Sequence, residues 1–366
     1  MRIALVADDY YPQLGGVPEH VHHLALTLNA QGHEVTVVTA RMLGGGPDAP
    51  FVRRLGTSIV IYANGGVARV TAGWHLTDQL TRLFRELRCD VVHVHGGLQP
   101  TFGIVAPKAA TRAGVPVVAT FHTWFPRSAG YRLFRRPLQA LLDQHAATIA
   151  VSSAAVEAMS RYFEADWEII PNGVDLSLFN NTEHPAAPEA GPGHKLLFLG
   201  RLEPRNGLDT LLDALPSIQR HFPTTELVAA GDGPWRGTYE RQVERGNLPV
   251  RFLGRVFSER PRLYQQADLF LCPTWRASFG VTLLEAMACG TPMVVSDIPA
   301  FREVAGRQAR LVPPRAPRAW ADAVCNLLDD PAGREAMSVA GSAAVQTYSW
   351  PQITERILAV YRRVTR

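Results

Sequence analysis

Short apolar runs, each followed by a stretch of helical periodicity, recur along almost the whole chain. Residues 2–7 (RIALVA) form a continuous apolar run of strand length. Residues 17–31 carry apolar side chains at helical spacing and stop at Gly32, a residue type that closes helices in the left-handed conformation. Residues 34–39 (EVTVVT) are the next strand. Strand, helix and strand in that order require a crossover, and repeated crossovers build a parallel sheet covered by helices on both faces. Further strands are expected at 58–62, 90–95, 115–120, 148–151 and 168–170, with a helix over 73–88.

The alternation pauses at 180–194 (NNTEHPAAPEAGPGH), a segment rich in Pro, Gly and Ala without periodicity, which is expected to be a linker. It then restarts. Strands are expected at 195–200, 226–230, 250–253, 268–272 and 292–296, with a helix over 208–221 and helical patterns from 315 to 366. The reading is an α/β protein of two doubly wound halves, which 366 residues are long enough to hold.

Composition removes several alternatives. Apolar residues make up 46% and charged residues 19%, which excludes a disordered chain. A net charge of +4 is too mild to argue for nucleic acid, and none is expected as a partner. Cys89, Cys272, Cys289 and Cys325 are far apart and form no CxxC, so reduced thiols in a cytoplasmic protein are expected. No apolar run reaches the ~18 residues of a spanning helix, so any membrane contact is expected to be peripheral.

Several loops carry chemistry. Gly15 and Gly16 close the loop after the first strand and open a helix, where free N–H groups and the positive dipole end suit a phosphate. The spacing is not GxGxxG, so a dinucleotide fingerprint is absent. Gly200-Arg201 ends the first strand of the second half, where open α/β sheets bind ligands, and Arg201 can donate two hydrogen bonds to a phosphate. An ion pair at the surface is the plain alternative for such an arginine. Residues 231–234 (GDGP) read as a turn. His20, His22 and His23 lie on the first helix, and His93 and His95 alternate on a strand and so share a face. No Cys or carboxylate spacing accompanies them, so structural or substrate-facing histidines are expected, and no metal.

Taken together, GGVPEHVHHLALTLNAQGHEVTVVT, DVVHVHGGLQPTFG, ATFHT, IIPNGVDLSLF, GRLEPRNGLDTLLDAL, GDGP, VRFLGR, LYQQADLFLCPT, SFGVTLLEAMACGTPMVVSDIPAFREV and LVPP resemble, in order, a family-4 glycosyltransferase of the GT-B type, and especially bacterial phosphatidylinositol mannosyltransferases and their relatives. The resemblance implies two Rossmann-like domains facing across a cleft: an acceptor-side domain at 1–180, a linker at 181–194, a nucleotide-sugar domain at 195–349, and a helix at 350–366 returning to the first domain. It implies a retaining, metal-independent hexosyl transfer from a GDP- or UDP-sugar co-substrate, with no other cofactor, to a hydroxyl acceptor such as a membrane lipid. Residue by residue, Gly16 matches a backbone contact to the donor phosphates. Arg201 matches the cation that stabilises the diphosphate leaving group, and His122 a histidine that reaches the donor sugar. Phe279 and Gly280 match the loop facing the sugar, and Glu285 matches the second Glu of an E-x7-E motif that holds the ribose. Gly15, Asn206 and Val281 complete the expected donor side.

Two positions depart from the family pattern. Asn206 stands where a lysine is usual, and Ala277 where the first Glu of E-x7-E is usual. Losing hydrogen bonds to charged partners costs about 1.5–3 kcal/mol each. The departures therefore leave two readings: an enzyme whose donor needs neither group, such as a deoxy or substituted hexose, or a catalytically silent protein of the same fold that binds a ligand or partner.

Residues 91–142 contain no Asp or Glu but hold Lys108, Arg112, Arg127, Arg132, Arg135 and Arg136, interleaved with Trp124, Phe125, Tyr131 and Phe134. A basic, aromatic-bearing surface suits an anionic membrane at the inner face of the plasma membrane, and a solvated Arg-rich face is the alternative. Tyr10, Arg127, Arg132, Arg135 and Arg136 are the candidate acceptor or membrane residues.

Overall fold

The computed structural model describes residues 1–13, 15–42, 48–63, 66–180 and 193–366. They divide into two compact units, Met1–Gly173 with Trp350–Arg366, and Val174–Ser349. The first unit thus ends at Gly173, ahead of the boundary expected at 180. The expected linker at 181–194 falls, but for Gly193 and His194, outside the described residues.

The first unit is built on eight strands: β1 (Arg2–Ala7), β2 (Glu34–Arg41), β3 (Val52–Ala63), β4 (Gly66–Ala72), β5 (Val91–His95), β6 (Val117–Phe121), β7 (Ala147–Ala150) and β8 (Trp167–Ile169). Their order is β4-β3-β2-β1-β5-β6-β7-β8. All pairs are parallel except β3 with β4, an antiparallel hairpin that forms one edge. The weak apolar signal at 58–62 falls in the second half of the long strand β3, and β4 was not anticipated. One face of the sheet packs against helices Gly16–Ala30 and Trp350–Val364 through Val21, Leu24, Leu28, Ile353, Ile357 and Tyr361. The other packs against helices Leu76–Glu86 and Phe102–Ala113 through Leu80, Phe84, Phe102 and Ala106. The interior strands are buried on both faces, which is why they read as unbroken apolar runs and not as alternation.

The second unit has six parallel strands: β9 (Lys195–Leu199), β10 (Glu226–Ala230), β11 (Val250–Gly254), β12 (Leu269–Cys272), β13 (Met293–Ser296) and β14 (Arg310–Val312), in the order β11-β10-β9-β12-β13-β14. Helices Leu208–His221 and Pro317–Leu328 cover one face with Leu211, Leu215, Trp320 and Val324.

In both sheets the strand order reverses beside the first strand of the unit, between β1 and β5 and between β9 and β12. In open parallel sheets the loops at the carboxyl ends of strands flanking such a point form the ligand site. These loops hold Tyr10, Gly15, Gly16 and His95 in the first unit. In the second they hold Arg201 and the segment leading to Glu285.

Candidate active site

The turn after β9 is fixed by close backbone approaches. Gly231, at φ +133°, lies so near Gly200 that a Cβ there would sit 1.9 Å from the Gly200 carbonyl oxygen. The GDGP segment is therefore more than a turn. It is the wall against which the Gly200-Arg201 corner rests, and Leu202 N–H donates to the Asp232 carbonyl at 3.1 Å. At the other end of the corner Gly207 takes φ +75°, and a Cβ there would meet the Pro273 carbonyl oxygen at 2.3 Å. The indole N–H of Trp275 donates to the Pro204 carbonyl at 2.9 Å, and its backbone N–H to Arg205 at 3.0 Å. The arginine corner and the loop after β12 are thus joined into one piece. Arg276 and Arg315 stack on the Trp275 ring, at 4.2 and 5.1 Å from its centroid.

Within this corner a buried acid, Glu203, holds two guanidiniums. Its carboxylate lies 2.8 Å from Arg201 Nη2 and 3.1 Å from Arg205 Nε, while the arginines themselves are about half exposed. Arg205 is therefore tied back to Glu203. Asn206 turns its amide inward and donates to the Arg201 carbonyl at 2.7 Å. Asn206 thus braces the turn. Glu203 carried no signal in sequence beyond being a turn residue, because its role depends on burial.

Helix Val281–Ala288 begins after extended Gly280, with Phe279 buried just before it, so Val281 is its first residue. Ala277 is partly exposed in the loop. Glu285 is not an open carboxylate. It is buried, with Oε1 at 2.7 Å from Arg260 Nη1 and Oε2 accepting from the Tyr264 hydroxyl at 2.9 Å. Burial, with the Glu285 charge beside it, pushes the Tyr264 phenol well above its ordinary range, so it stays protonated and donates. These partners orient Glu285. Arg260 and Tyr264 were missed in sequence: they reach Glu285 from the helix Arg260–Gln265, before β12.

The first unit gathers four buried histidines. His20 comes from the helix after β1, His93 and His95 from β5, and His122 from the residue following β6. His93 and His95 do share a face, with ring centroids 4.0 Å apart. His93 bonds the Tyr361 hydroxyl through Nδ1 at 2.6 Å and the Thr120 hydroxyl through Nε2 at 2.7 Å. His95 Nδ1 lies 3.2 Å from His122 Nε2, and His20 Nδ1 lies 2.9 Å from Asn172 Oδ1. Burial drives all four toward the neutral imidazole. His20 is lowered to about 4, and His93, His95 and His122 are well below the usual range. Ring nitrogens of His20, His95 and His122 lie within 4.8 Å of one another, close enough for one divalent cation to be tested against the expectation of none. Asn172, in the segment IIPNGVD, is the residue here that sequence reasoning passed over.

Gly15 and Gly16 stand at the start of helix Gly16–Ala30, and a Cβ on Gly16 would meet no atom within 4 Å, so the backbone there is approachable. Tyr10 is buried, 3% exposed, with its hydroxyl 2.8 Å from His22 Nδ1. It is thus a packed side chain and not an open acceptor platform. The last part of the acid-free segment forms two short helices, Ala129–Leu133 and Arg135–Leu142. Leu133 and Phe134 are exposed between Arg132, Arg135 and Arg136. Arg127, Arg132, Arg161 and Tyr162 line an open depression of about 810 Å³. Among the described residues neither Arg127 nor Arg132 has an ion-pair partner, whereas Arg135 is 3.8 Å from Glu164.

Comparison with known proteins gives the class. Residues 14–178 match the model of Glycosyltransferase Family 4, and residues 193–330 that of Glycosyl transferases group 1. The phosphatidyl-myo-inositol mannosyltransferase of Mycobacterium tuberculosis is 34% identical over 100% of this chain and 97% of its own length. That of Mycolicibacterium smegmatis is 33% identical over 100% and 94%. Among solved structures, sucrose-phosphate synthase from Thermosynechococcus elongatus superposes with a TM-score of 0.75 at 22% identity, covering 99% of this chain and 98% of its own. Anabaena HepE in complex with UDP does so with 0.79 at 18%, covering 99% and 100%. The chain belongs to the family-4 glycosyltransferases of the GT-B type. It is a glycosyltransferase, and nothing in these likenesses favours the silent alternative.

Proposed function

We propose that this glycosyltransferase is a retaining, metal-independent enzyme that moves a hexosyl group from a GDP- or UDP-sugar to a hydroxyl of a phosphatidylinositol-type lipid at an anionic membrane surface. The observation that carries this reading is the buried Glu203 holding Arg201 at the carboxyl end of β9. A cation fixed at that place suits a diphosphate leaving group.

In the reaction, the bond between the anomeric carbon and the phosphate oxygen breaks, and the acceptor oxygen bonds to the same carbon. The acceptor proton passes to the departing phosphate oxygen. Negative charge therefore grows on the diphosphate, and a pre-positioned guanidinium is strongest where charge develops. Retention through a carboxylate nucleophile would need a second acid near the sugar. Ala277 cannot serve as one, so a front-face transfer is the reading adopted. His122 is assigned to the donor sugar and Glu285, aimed by Arg260 and Tyr264, to the ribose.

The lipid acceptor rests on full-length similarity to phosphatidyl-myo-inositol mannosyltransferases. It also rests on the exposed Leu133 and Phe134 among arginines. No helix among the described residues is long and apolar enough to cross a membrane. The test is transfer from radiolabelled GDP-mannose, UDP-glucose and UDP-N-acetylglucosamine to phosphatidylinositol vesicles, with and without EDTA. Glycolipid formed from one donor, undiminished by EDTA and with the anomeric configuration kept, is expected. Inversion, EDTA sensitivity, or transfer only to water-soluble acceptors would each remove the corresponding part.

A further inference from the structure

The hydrogen-bond partners of the buried histidines decide where each ring carries its proton. We propose that His95 is a positioning residue that holds His122 as the neutral tautomer protonated on Nδ1, by donating its own Nδ1–H to His122 Nε2. The inference rests on the reading of His122 as the group facing the donor sugar.

One N–H is shared between His95 Nδ1 and His122 Nε2 across 3.2 Å, so one ring donates and the other accepts. If His122 donated, neutral His95 would carry its proton on Nε2. That atom is buried and has no partner, so an N–H would be stranded away from water. If His95 donates, the stranded atom is a bare lone pair. A buried orphan donor is rarer and costlier than an under-used acceptor, so the second arrangement wins. His20 follows the same rule. Its Nδ1 faces the Asn172 oxygen at 2.9 Å and must donate, and its buried Nε2 is again left as an unpartnered acceptor. With His122 Nε2 occupied as the acceptor of its bond from His95, the one proton of neutral His122 is left on Nδ1. His122 is thereby held through Nε2, and its one proton is free to meet a sugar oxygen. His93 packs against His95 with ring centroids 4.0 Å apart and is itself tied to Tyr361 and Thr120, so the ring that positions His122 is in turn held.

The test reads the tautomer directly, by long-range nitrogen–proton NMR of the imidazoles in the full chain. His122 signals are assigned by their loss in His122→Ala. In the wild type, His122 is expected to show a protonated Nδ1 and a bare Nε2. His95→Leu removes the donor and should give a mixture of tautomers. It should also give about a tenfold fall in kcat, the worth of roughly one hydrogen bond, with donor KM nearly unchanged. His95→Asn places an amide N–H where Nδ1 was and should restore both the single tautomer and most of the rate. A merely structural His95 would not give this pattern. A wild-type His122 protonated on Nε2 overturns the proposal, and so does an unchanged tautomer in His95→Leu. One zinc per chain that is lost with His20→Ala also overturns it, because the metal would take the lone pairs. Should His95→Leu fail to fold, the wild-type and His95→Asn spectra decide. If the tautomers behave as expected but no nucleotide sugar is ever consumed, it is the assignment of His122 to a sugar that fails, not its positioning by His95.

Discussion

Replacing Glu203 by glutamine keeps the shape of the buried group and removes the charge that holds Arg201 and Arg205. The carboxyl is 2% exposed and lies 2.8 and 3.1 Å from the two guanidiniums, which are 47% and 43% exposed. Only the Arg205 contact has hydrogen-bond geometry, while Arg201 is held as an ion pair by proximity alone; one charged hydrogen bond with solvent around the arginines contributes about 1.5 kcal/mol. For a unit of this size that lowers Tm by roughly 3–6 °C. The effect on rate is separate. Removing a charge-stabilising donor outright costs about 100- to 1,000-fold in kcat, and loosening it should cost less, about 10- to 30-fold. Arg201 without its counter-ion becomes a stronger attractor for a dianionic donor. Donor KM is therefore expected to hold or fall while kcat drops. Steady-state kinetics on Glu203→Gln, Arg201→Ala and the double variant check this. If Glu203 acts through Arg201, adding Glu203→Gln to Arg201→Ala should leave kcat where Arg201→Ala alone put it. Additive losses in kcat, or a single variant with wild-type kcat, would show that Glu203 merely supports the fold.

Three further outcomes follow from the same geometry. Arg260→Leu strands the buried Glu285 carboxylate, so the variant should lose about 3–5 kcal/mol by chemical denaturation, while Arg260→Leu with Glu285→Leu recovers part of it. Reversing Arg132, Arg135 and Arg136 to Glu should weaken binding to anionic vesicles by more than about 100-fold at low salt, at ~1 kcal/mol per basic residue, with no change on neutral vesicles; co-sedimentation at two ionic strengths measures it. Ala277→Glu should raise turnover of an ordinary hexose donor, read as kcat/KM, whereas adding Asn206→Lys should lose about 0.5–1.5 kcal/mol of stability, because the amide that braces the Arg201 carbonyl goes with it.

The parallel strands were legible because strands buried on both faces leave uninterrupted apolar runs, and 2–7, 208–221 and 226–230 coincide with the elements found. The hairpin β3–β4 was half seen, since it sits at a sheet edge where one side needs no apolar cover and the run at 66–72 is short. Positions were legible where a motif fixes them by backbone, as at Gly207 and Gly231. Partnerships were not. That Asn206 looks inward, that Glu203 rather than a phosphate holds Arg205, and that Arg260 reaches Glu285 across 25 residues all depend on which way side chains turn in a packed corner. The histidines were visible separately, His20 on the first helix, His93 and His95 by their spacing on a strand and His122 through the resemblance, but not as one set. Its closure through Tyr361, 268 residues further on, has no local trace.

Helix Trp350–Val364 belongs to the first unit although it is translated after the whole of the second. Ile353, Ile357, Leu358 and Tyr361 fill a face of the first sheet, and Trp350 packs so closely on Gly173 that a Cβ there would come within 2.7 Å of its ring. On the ribosome, then, the amino-terminal half must wait, with that face uncovered, until residues some 180 positions downstream of Gly173 have emerged. The second unit, continuous in sequence, is free to fold in the interval. Chaperone demand during synthesis should therefore fall on the part of the protein made first, and a nonsense codon anywhere before position 350 should leave a nascent product whose older half never matures.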